Sequence, residues 1–130
     1  MTQPSTNRDR EPNLAAAEEQ YHKALDLVAA GEPCAAVEGF LSCIELDPEK
    51  LDAVHGLIRA LQDCGRLDDG IEWAKKLIEM DPSDPLAHTS LSILYQHKGM
   101  IPEAEAEATK ARLLDWKQQL QQGIKPNTQL

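Results

Sequence analysis

Histidine and cysteine are the residues of this sequence best suited to metal binding or nucleophilic catalysis, but their spacing favours neither. The histidines are His22, His55, His88 and His97. They contain no HExxH motif and no pair separated by four residues. Cys34 and Cys43 are nine residues apart, which places them on roughly opposite sides of one helix. We therefore expect no catalytic residue, no metal site and no cofactor, and we predict that the chain is not an enzyme.

The glycines and the acidic residues do not form a phosphate-binding or calcium-binding loop. Gly31, Gly65 and Gly99 stand 34 residues apart, whereas a phosphate-binding loop needs glycines close together. Acidic residues gather at 45–52 and 79–84, but the alternating ligands and the glycine of a calcium loop are missing. Solvation and the favourable interaction of carboxylates with helix N-termini explain these acidic groups better than a bound ion does.

Composition and charge exclude further classes of partner. The chain has 130 residues and a net charge of −9, with 42% hydrophobic and 4% aromatic residues. Nucleic acids and anionic membranes bind clustered Lys and Arg, so we expect neither as a partner. No apolar run approaches the ~18 residues of a membrane span, and the first residues lack the apolar core of a signal peptide. The three cysteines show no CxxC motif, and we expect a cytoplasmic protein.

The elements that position these residues are all predicted to be helices, in one domain over residues 13–123. Residues 1–12 are polar and contain two prolines, so we expect a disordered tail there. Residues 124–130 are expected to form a flexible C-terminal tail. No stretch between the two tails is typical of a strand.

Six helices follow from the start and stop signals of the sequence. Asn13 is expected to cap the first helix, and the three glycines are expected to end the first helix of each pair. Ser83 is expected to cap the fifth helix, with Pro85 in its first turn. Pro102 opens the last helix, which continues to about residue 122.

A fixed period of 34 residues relates these helices to one another. Asp47-Pro48 recurs as Asp81-Pro82, and Ile44 recurs as Ile78, in step with the glycines. Paired helices with such a period are typical of a helical repeat array. The repeats cover approximately 17–50, 51–84 and 85–118, with the last helix extended to 122.

The packing residues of this period resemble those of the tetratricopeptide-repeat family. They are Ala24, Leu27, Gly31, Ala36, Phe40 and Pro48, then Leu57, Leu61, Gly65, Gly70 and Pro82, then Leu91, Tyr95, Gly99, Ala104, Ala108 and Ala111. The resemblance implies an all-α, right-handed helix-turn-helix repeat solenoid of about six helices with an extended last helix. It also implies a concave groove, lined by the first helix of each pair, that binds proteins or peptides.

The family's groove positions predict the residues that would contact a partner. They are Tyr21, Leu25, Val28, His55, Arg59, Gln62, Ile93 and Gln96. The apolar residues among them would meet apolar side chains of the partner, and Arg59 would bind a carboxylate or a backbone carbonyl. Two alternatives stay open: Tyr21, Leu25 and Val28 could pack against the N-terminal tail or a neighbouring helix, and the His55/Arg59 face could be ordinary solvated surface.

The last helix carries a second candidate surface. Leu113, Trp116 and Leu120 follow one another at three and four residues and share one helical face. They would either fold back onto the fifth helix as a cap or pair with another copy of the chain or a partner protein. The sequence thus predicts a non-catalytic scaffold or protein-interaction module that binds a peptide or helix, and the alternative is a homodimerisation or assembly unit working through the last helix.

Overall fold

The computed structural model describes residues 13–123, and these form six α-helices without a strand. The helices are α1 (Leu14–Ala29), α2 (Pro33–Leu46), α3 (Leu51–Asp63), α4 (Leu67–Met80), α5 (Pro85–His97) and α6 (Ile101–Gln121). They belong to two compact units, an N-terminal unit up to Ala60 and a C-terminal unit from Leu61. The all-α prediction is confirmed, and the predicted tails at 1–12 and 124–130 lie outside the described residues.

The chain leaves the first helix of each pair at a glycine, as the sequence predicts. Gly31, Gly65 and Gly99 have φ angles of +79°, +84° and +76°. Side chains strongly disfavour this left-handed conformation, whereas glycine adopts it readily. Each glycine therefore ends one helix and allows the next helix of the pair to begin within a few residues.

The N-terminal unit is built on close packing between α1 and α2. The side chain of Asn13 accepts a hydrogen bond from the Ala16 N–H at 3.2 Å, which confirms the predicted N-cap. The Asn13 N–H donates to the Leu46 carbonyl at 3.1 Å, so the start of α1 is joined to the end of α2. Between these ends, Ala17 and Ala24 are buried, and a Cβ atom added at Gly39 of α2 would lie 3.0 Å from Cβ of Ala24. The small residues allow the two helices to approach closely.

Phe40 is the largest fully buried side chain of the N-terminal unit, and its ring packs next to Gly56 of α3. A Cβ atom added at Gly56 would lie 2.5 Å from Cε1 of Phe40. A glycine at this position of α3 thus leaves space for the aromatic ring from α2.

The C-terminal unit packs α4 on α5 and α5 on α6. The N-cap of α5 is Asp84, whose carboxylate accepts from the Leu86 N–H at 2.9 Å. The prediction that Ser83 caps this helix is therefore wrong. Pro85 occupies the first turn as expected, so the cap stands immediately before it, and the Ser83 hydroxyl instead bonds to the Asp81 carboxylate at 3.3 Å.

Helix α6 lies on α5 through small residues and a few polar contacts. Ala104 and Ala111 are its buried residues, and the buried Ser92 hydroxyl of α5 donates to the Ala104 carbonyl at 2.7 Å. Near its C-terminal end, the Gln118 side chain donates to the Ser83 carbonyl. Over residues 13–123, none of the helices is both long and apolar enough to cross a bilayer.

Candidate partner-binding surfaces

Tyr21, the first predicted groove residue, is held in place within the N-terminal unit. Its ring is half-buried and lies 6.1 Å from the ring of Phe40, with the planes tilted. The Lys50 ammonium stands 4.7 Å from the centroid of the same ring, a cation–π distance. The Lys50 Nζ atom also donates to Oε1 of Glu18 at 3.0 Å. Tyr21 is thus part of an ordered cluster of side chains at the junction of α1 with the start of α3.

The charges of this cluster stabilise one another. The hydrogen bond from Lys50 is the main reason why the pKa of Glu18 is lowered, and the same bond raises the pKa of Lys50. Burial, followed by the nearby Asp52 carboxylate, raises the pKa of the Tyr21 hydroxyl. The cluster therefore presents a neutral phenol at neutral pH, beside a lysine whose charge is matched by Glu18.

Leu25 and Val28 are the solvent-exposed apolar residues of the predicted groove in this unit. Each is 38% exposed on α1. On α3, His55 is half-buried and Arg59 is exposed. Because Tyr21 contacts Phe40 and Lys50, Leu25 and Val28 are more available to a partner than Tyr21 is.

The C-terminal unit brings Ile93 and Gln96 together in a pocket on α5. The pocket has a volume of about 310 Å³, which lies in the range of ligand sites. Its lining residues are Thr89, Ser92, Ile93, Gln96, Ala108, Ala111 and Arg112. A neighbouring pocket of about 240 Å³ shares three of these and adds Pro85, Leu86 and Asp115. The remaining predicted residue, Gln62, is half-buried in the last turn of α3.

The apolar stripe of α6, formed by Leu113, Trp116 and Leu120, is exposed to solvent. Leu113, Trp116 and Leu120 are 56%, 50% and 56% exposed. Half of the Trp116 surface is thus uncovered. The cap on α5 and the contact with another molecule both stay predictions.

Sequence reasoning missed a third surface in the C-terminal unit. A pocket of about 320 Å³ is lined by Pro82, His88, Lys110, Leu113, Leu114 and Lys117. The available signal was the spacing Lys-x-x-Leu-Leu-x-x-Lys in α6, which puts four side chains on one helical face. His88 could not be assigned to that face from sequence, because it comes from α5.

A buried ion-pair geometry lies beside this third pocket. Nδ1 of His88 is 2.7 Å from Oε1 of Glu107, and both side chains are almost completely buried. The second carboxylate oxygen of Glu107 accepts from Lys110 Nζ at 3.2 Å. Burial alone would raise the pKa of Glu107, but the hydrogen bonds from His88 and Lys110 outweigh it and lower this pKa. Glu107 is therefore a carboxylate with both oxygens engaged.

Cys43 is a core residue on α2. It is buried with a free thiol, and burial raises its pKa. A protonated, inaccessible thiol is a poor nucleophile, so Cys43 has a packing role. Within the described part of the chain, no three His, Cys, Asp or Glu side chains gather closely enough to hold a metal ion.

Comparison with known proteins now connects these helices to a family. The tetratricopeptide-repeat (TPR) family model matches residues 73–106, from Trp73 in α4 to Ala106 in α6. The matched segment contains the Asp81-Pro82 turn, the Asp84 cap and the Gly99 turn. Residues 73–106 are therefore similar to a tetratricopeptide repeat. This result confirms the family resemblance and the helical-repeat fold class.

Solved TPR-like structures share this arrangement of helices. MamA is 27% identical with a TM-score of 0.73, over 78% of this chain and 60% of MamA. The Yersinia enterocolitica type III secretion translocator chaperone SycD is 23% identical with a TM-score of 0.72, over 85% of this chain and 76% of SycD. YrrB, described as a TPR protein with an unusual peptide-binding site, is 21% identical with a TM-score of 0.72, over 75% of this chain and 50% of YrrB.

These comparisons establish the fold more firmly than the activity. The chain spans about 60% of the length of MamA. No curated protein matches the chain significantly.

Proposed function

We propose that this protein is a non-catalytic protein-interaction module that binds a peptide or a helix along the first helices of its repeats, in the groove that the family resemblance implies. The observation that carries the proposal is the pocket on α5, which is lined by Ile93 and Gln96, two residues predicted from sequence as partner contacts. The description of YrrB as a TPR protein with a peptide-binding site supports the same class of function.

The proposed contacts differ in chemistry between the two units. Leu25 and Val28 on α1 offer apolar surface, and Ile93 adds an apolar wall to the α5 pocket. Arg59 supplies a guanidinium that suits carboxylates and backbone carbonyls. Within the N-terminal unit, a peptide with an apolar residue and a carboxylate would suit Leu25, Val28 and Arg59, because apolar anchors give affinity and charged contacts give orientation.

Selection of peptides from a displayed library against the intact chain tests this proposal. The Kd of the selected peptide is then measured for the Ile93→Glu and Arg59→Glu variants by fluorescence anisotropy. We expect each substitution to weaken binding by at least about tenfold, which corresponds to about 1.4 kcal/mol. Trp116→Ala serves as the matched control and should leave the Kd within about twofold. Unchanged binding by both groove variants would refute the groove.

A second candidate function rests on the open stripe of α6. Three large apolar side chains, half-exposed on one helical face, are typical of a contact surface, and a two-fold homodimer is the commonest arrangement of such contacts. One crystal structure of SycD describes an alternative dimer. We propose this homodimer as the alternative function.

Molecular mass in solution separates the two candidates. If the α6 stripe forms a dimer, Trp116→Ala should convert the dimer to a monomer by analytical ultracentrifugation, while Arg59→Glu should leave the mass unchanged. A wild-type chain that is monomeric at high micromolar concentration would eliminate the dimer. A dimer that survives Trp116→Ala would show that the stripe is not its interface.

A further inference from the structure

The pocket between α6 and the turn before α5 belongs to neither the predicted groove nor the homodimer stripe, although Leu113 borders both the pocket and the stripe. Its residues from α6 are Lys110, Leu113, Leu114 and Lys117. These positions follow the i, i+3, i+4, i+7 pattern, so they lie on one side of the helix. The two lysines are two turns apart, about 10 Å along the axis, and the two leucines lie between them.

Pro82 and His88 close the pocket from the other side. Two contacts hold these walls together: the Gln118 side chain bonds to the carbonyl of Ser83, next to Pro82, and His88 bonds to Glu107 of α6. The pocket therefore exists before a ligand arrives, and binding would not require these walls to become ordered. Such preorganisation reduces the entropic cost of association.

The charges around the pocket favour an anionic ligand. Glu107 lies beside the pocket, and both of its oxygens are already engaged by His88 and Lys110. Asp81, which directly precedes Pro82, accepts a hydrogen bond from the Ser83 hydroxyl. Lys117 forms no ion pair with any residue in 13–123. The Lys110 side chain is 58% exposed, so its ammonium can donate to a second carboxylate besides Glu107. The pocket therefore has an apolar centre, formed by Leu113 and Leu114, between the ammonium groups of Lys110 and Lys117.

We propose that this pocket is a second binding site, which takes an acidic peptide segment from a partner protein. An apolar side chain of leucine size would lie on Leu113, Leu114 and Pro82. Carboxylates on either side of it would bind Lys117 and Lys110. The spacing of the lysines selects a peptide over a fatty acid, because a fatty acid carries one carboxylate and can match one lysine at a time.

A short designed peptide tests the site directly. The probe is acetyl-Glu-Glu-Leu-Leu-Glu-Glu-amide, titrated into the intact chain at low ionic strength, with the leucine methyl resonances followed by NMR. The comparison peptide replaces both leucines with serine. We expect the leucine peptide to shift the methyl resonances of Leu113 and Leu114 saturably, and the serine peptide to bind at least about tenfold more weakly because it loses the apolar contact.

Charge-reversal variants then assign the carboxylate contact. Lys117→Glu should weaken the leucine peptide by about tenfold, since an attraction becomes a repulsion. Lys75→Glu makes the same charge change at an exposed position of α4 and should stay within about twofold. Both residues are exposed, so both variants should retain the circular-dichroism spectrum of the wild type.

Several results would overturn the proposal. One is the absence of saturable methyl shifts, and another is equal binding of the leucine and serine peptides, which would indicate charge alone. Equal effects of Lys117→Glu and Lys75→Glu would also contradict it. Shifts produced by dodecanoate but not by the leucine peptide would assign the pocket to a lipid instead. None of these results bears on the groove, because the groove variants carry their substitutions outside this pocket.

Discussion

Replacing Gly56 with alanine should destabilise the N-terminal unit, although alanine is the better helix former. The added Cβ atom would lie 2.5 Å from Cε1 and 2.6 Å from Cζ of Phe40. Real Cβ atoms essentially never approach another heavy atom more closely than 3.0 Å, so something must move. Phe40 is fully buried, and its rigid ring cannot turn aside as a flexible exposed side chain could.

The magnitude follows from two opposing contributions. Forcing an extra methyl group into a filled core costs about 1–3 kcal/mol, and a contact this short belongs near the upper end. Alanine recovers about 1 kcal/mol relative to glycine inside a helix. The free energy of unfolding should therefore fall by about 2 kcal/mol, which lowers the melting temperature by roughly 8 °C for a chain of this size.

Urea denaturation followed by far-ultraviolet circular dichroism measures this change. The matched control is the double variant Gly56→Ala/Phe40→Leu, in which the smaller side chain makes room for the new methyl group. The double variant should be more stable than the sum of the two single effects by about 0.5–3 kcal/mol. A Gly56→Ala variant at least as stable as the wild type, or additive effects of the two substitutions, would refute a steric clash between this Cβ atom and Phe40.

Two further predictions concern the C-terminal unit. Because the pKa of Glu107 is lowered in the folded chain, its carboxylate stabilises the fold above the unfolded pKa, and this stabilisation is lost as the pH falls through the folded pKa. The melting temperature of Glu107→Gln should therefore fall less steeply than that of the wild type between about pH 5 and pH 3. An equally steep fall in both proteins would contradict this prediction. Asp84→Ala should cost about 1 kcal/mol in urea denaturation, whereas Ser83→Ala should change little; a larger effect at Ser83 would restore the cap that the sequence suggested.

The fold could be predicted from the sequence because its determinants are local and periodic. Gly31, Gly65 and Gly99 end helices through their own backbone conformation, and this requirement does not depend on distant residues. Asn13 caps α1 through an atom three residues away. The N-cap of α5 was predicted wrongly. Ser83 and Asp84 are adjacent and both suit an N-cap, and only the geometry of the turn shows that Asp84 is the cap.

The surfaces were harder to predict because they combine residues from different helices. Ile93 and Gln96 could be placed on one face of α5 from their spacing, but the alanines of α6 that complete their pocket could not. His88 and Glu107 are separated by 19 positions and come within 2.7 Å because α5 and α6 are antiparallel. No sequence motif links His88 to Glu107, so their pairing could not be predicted.

The alanine-rich contact of α6 has a consequence for how the molecule opens. The largest fully buried side chains of the described chain are Phe40, Leu57, Ile58, Leu61, Leu77, Leu94, Val37, Val54 and Cys43. None of them lies on α6, where the buried residues are Ala104 and Ala111 and where Ala108 and Leu114 are only half-buried. Helices held by few large apolar contacts open first. Amide protons of α6 should therefore exchange with solvent before those of α5. A ligand that binds Lys110 and Lys117 would slow this exchange because it would stabilise α6.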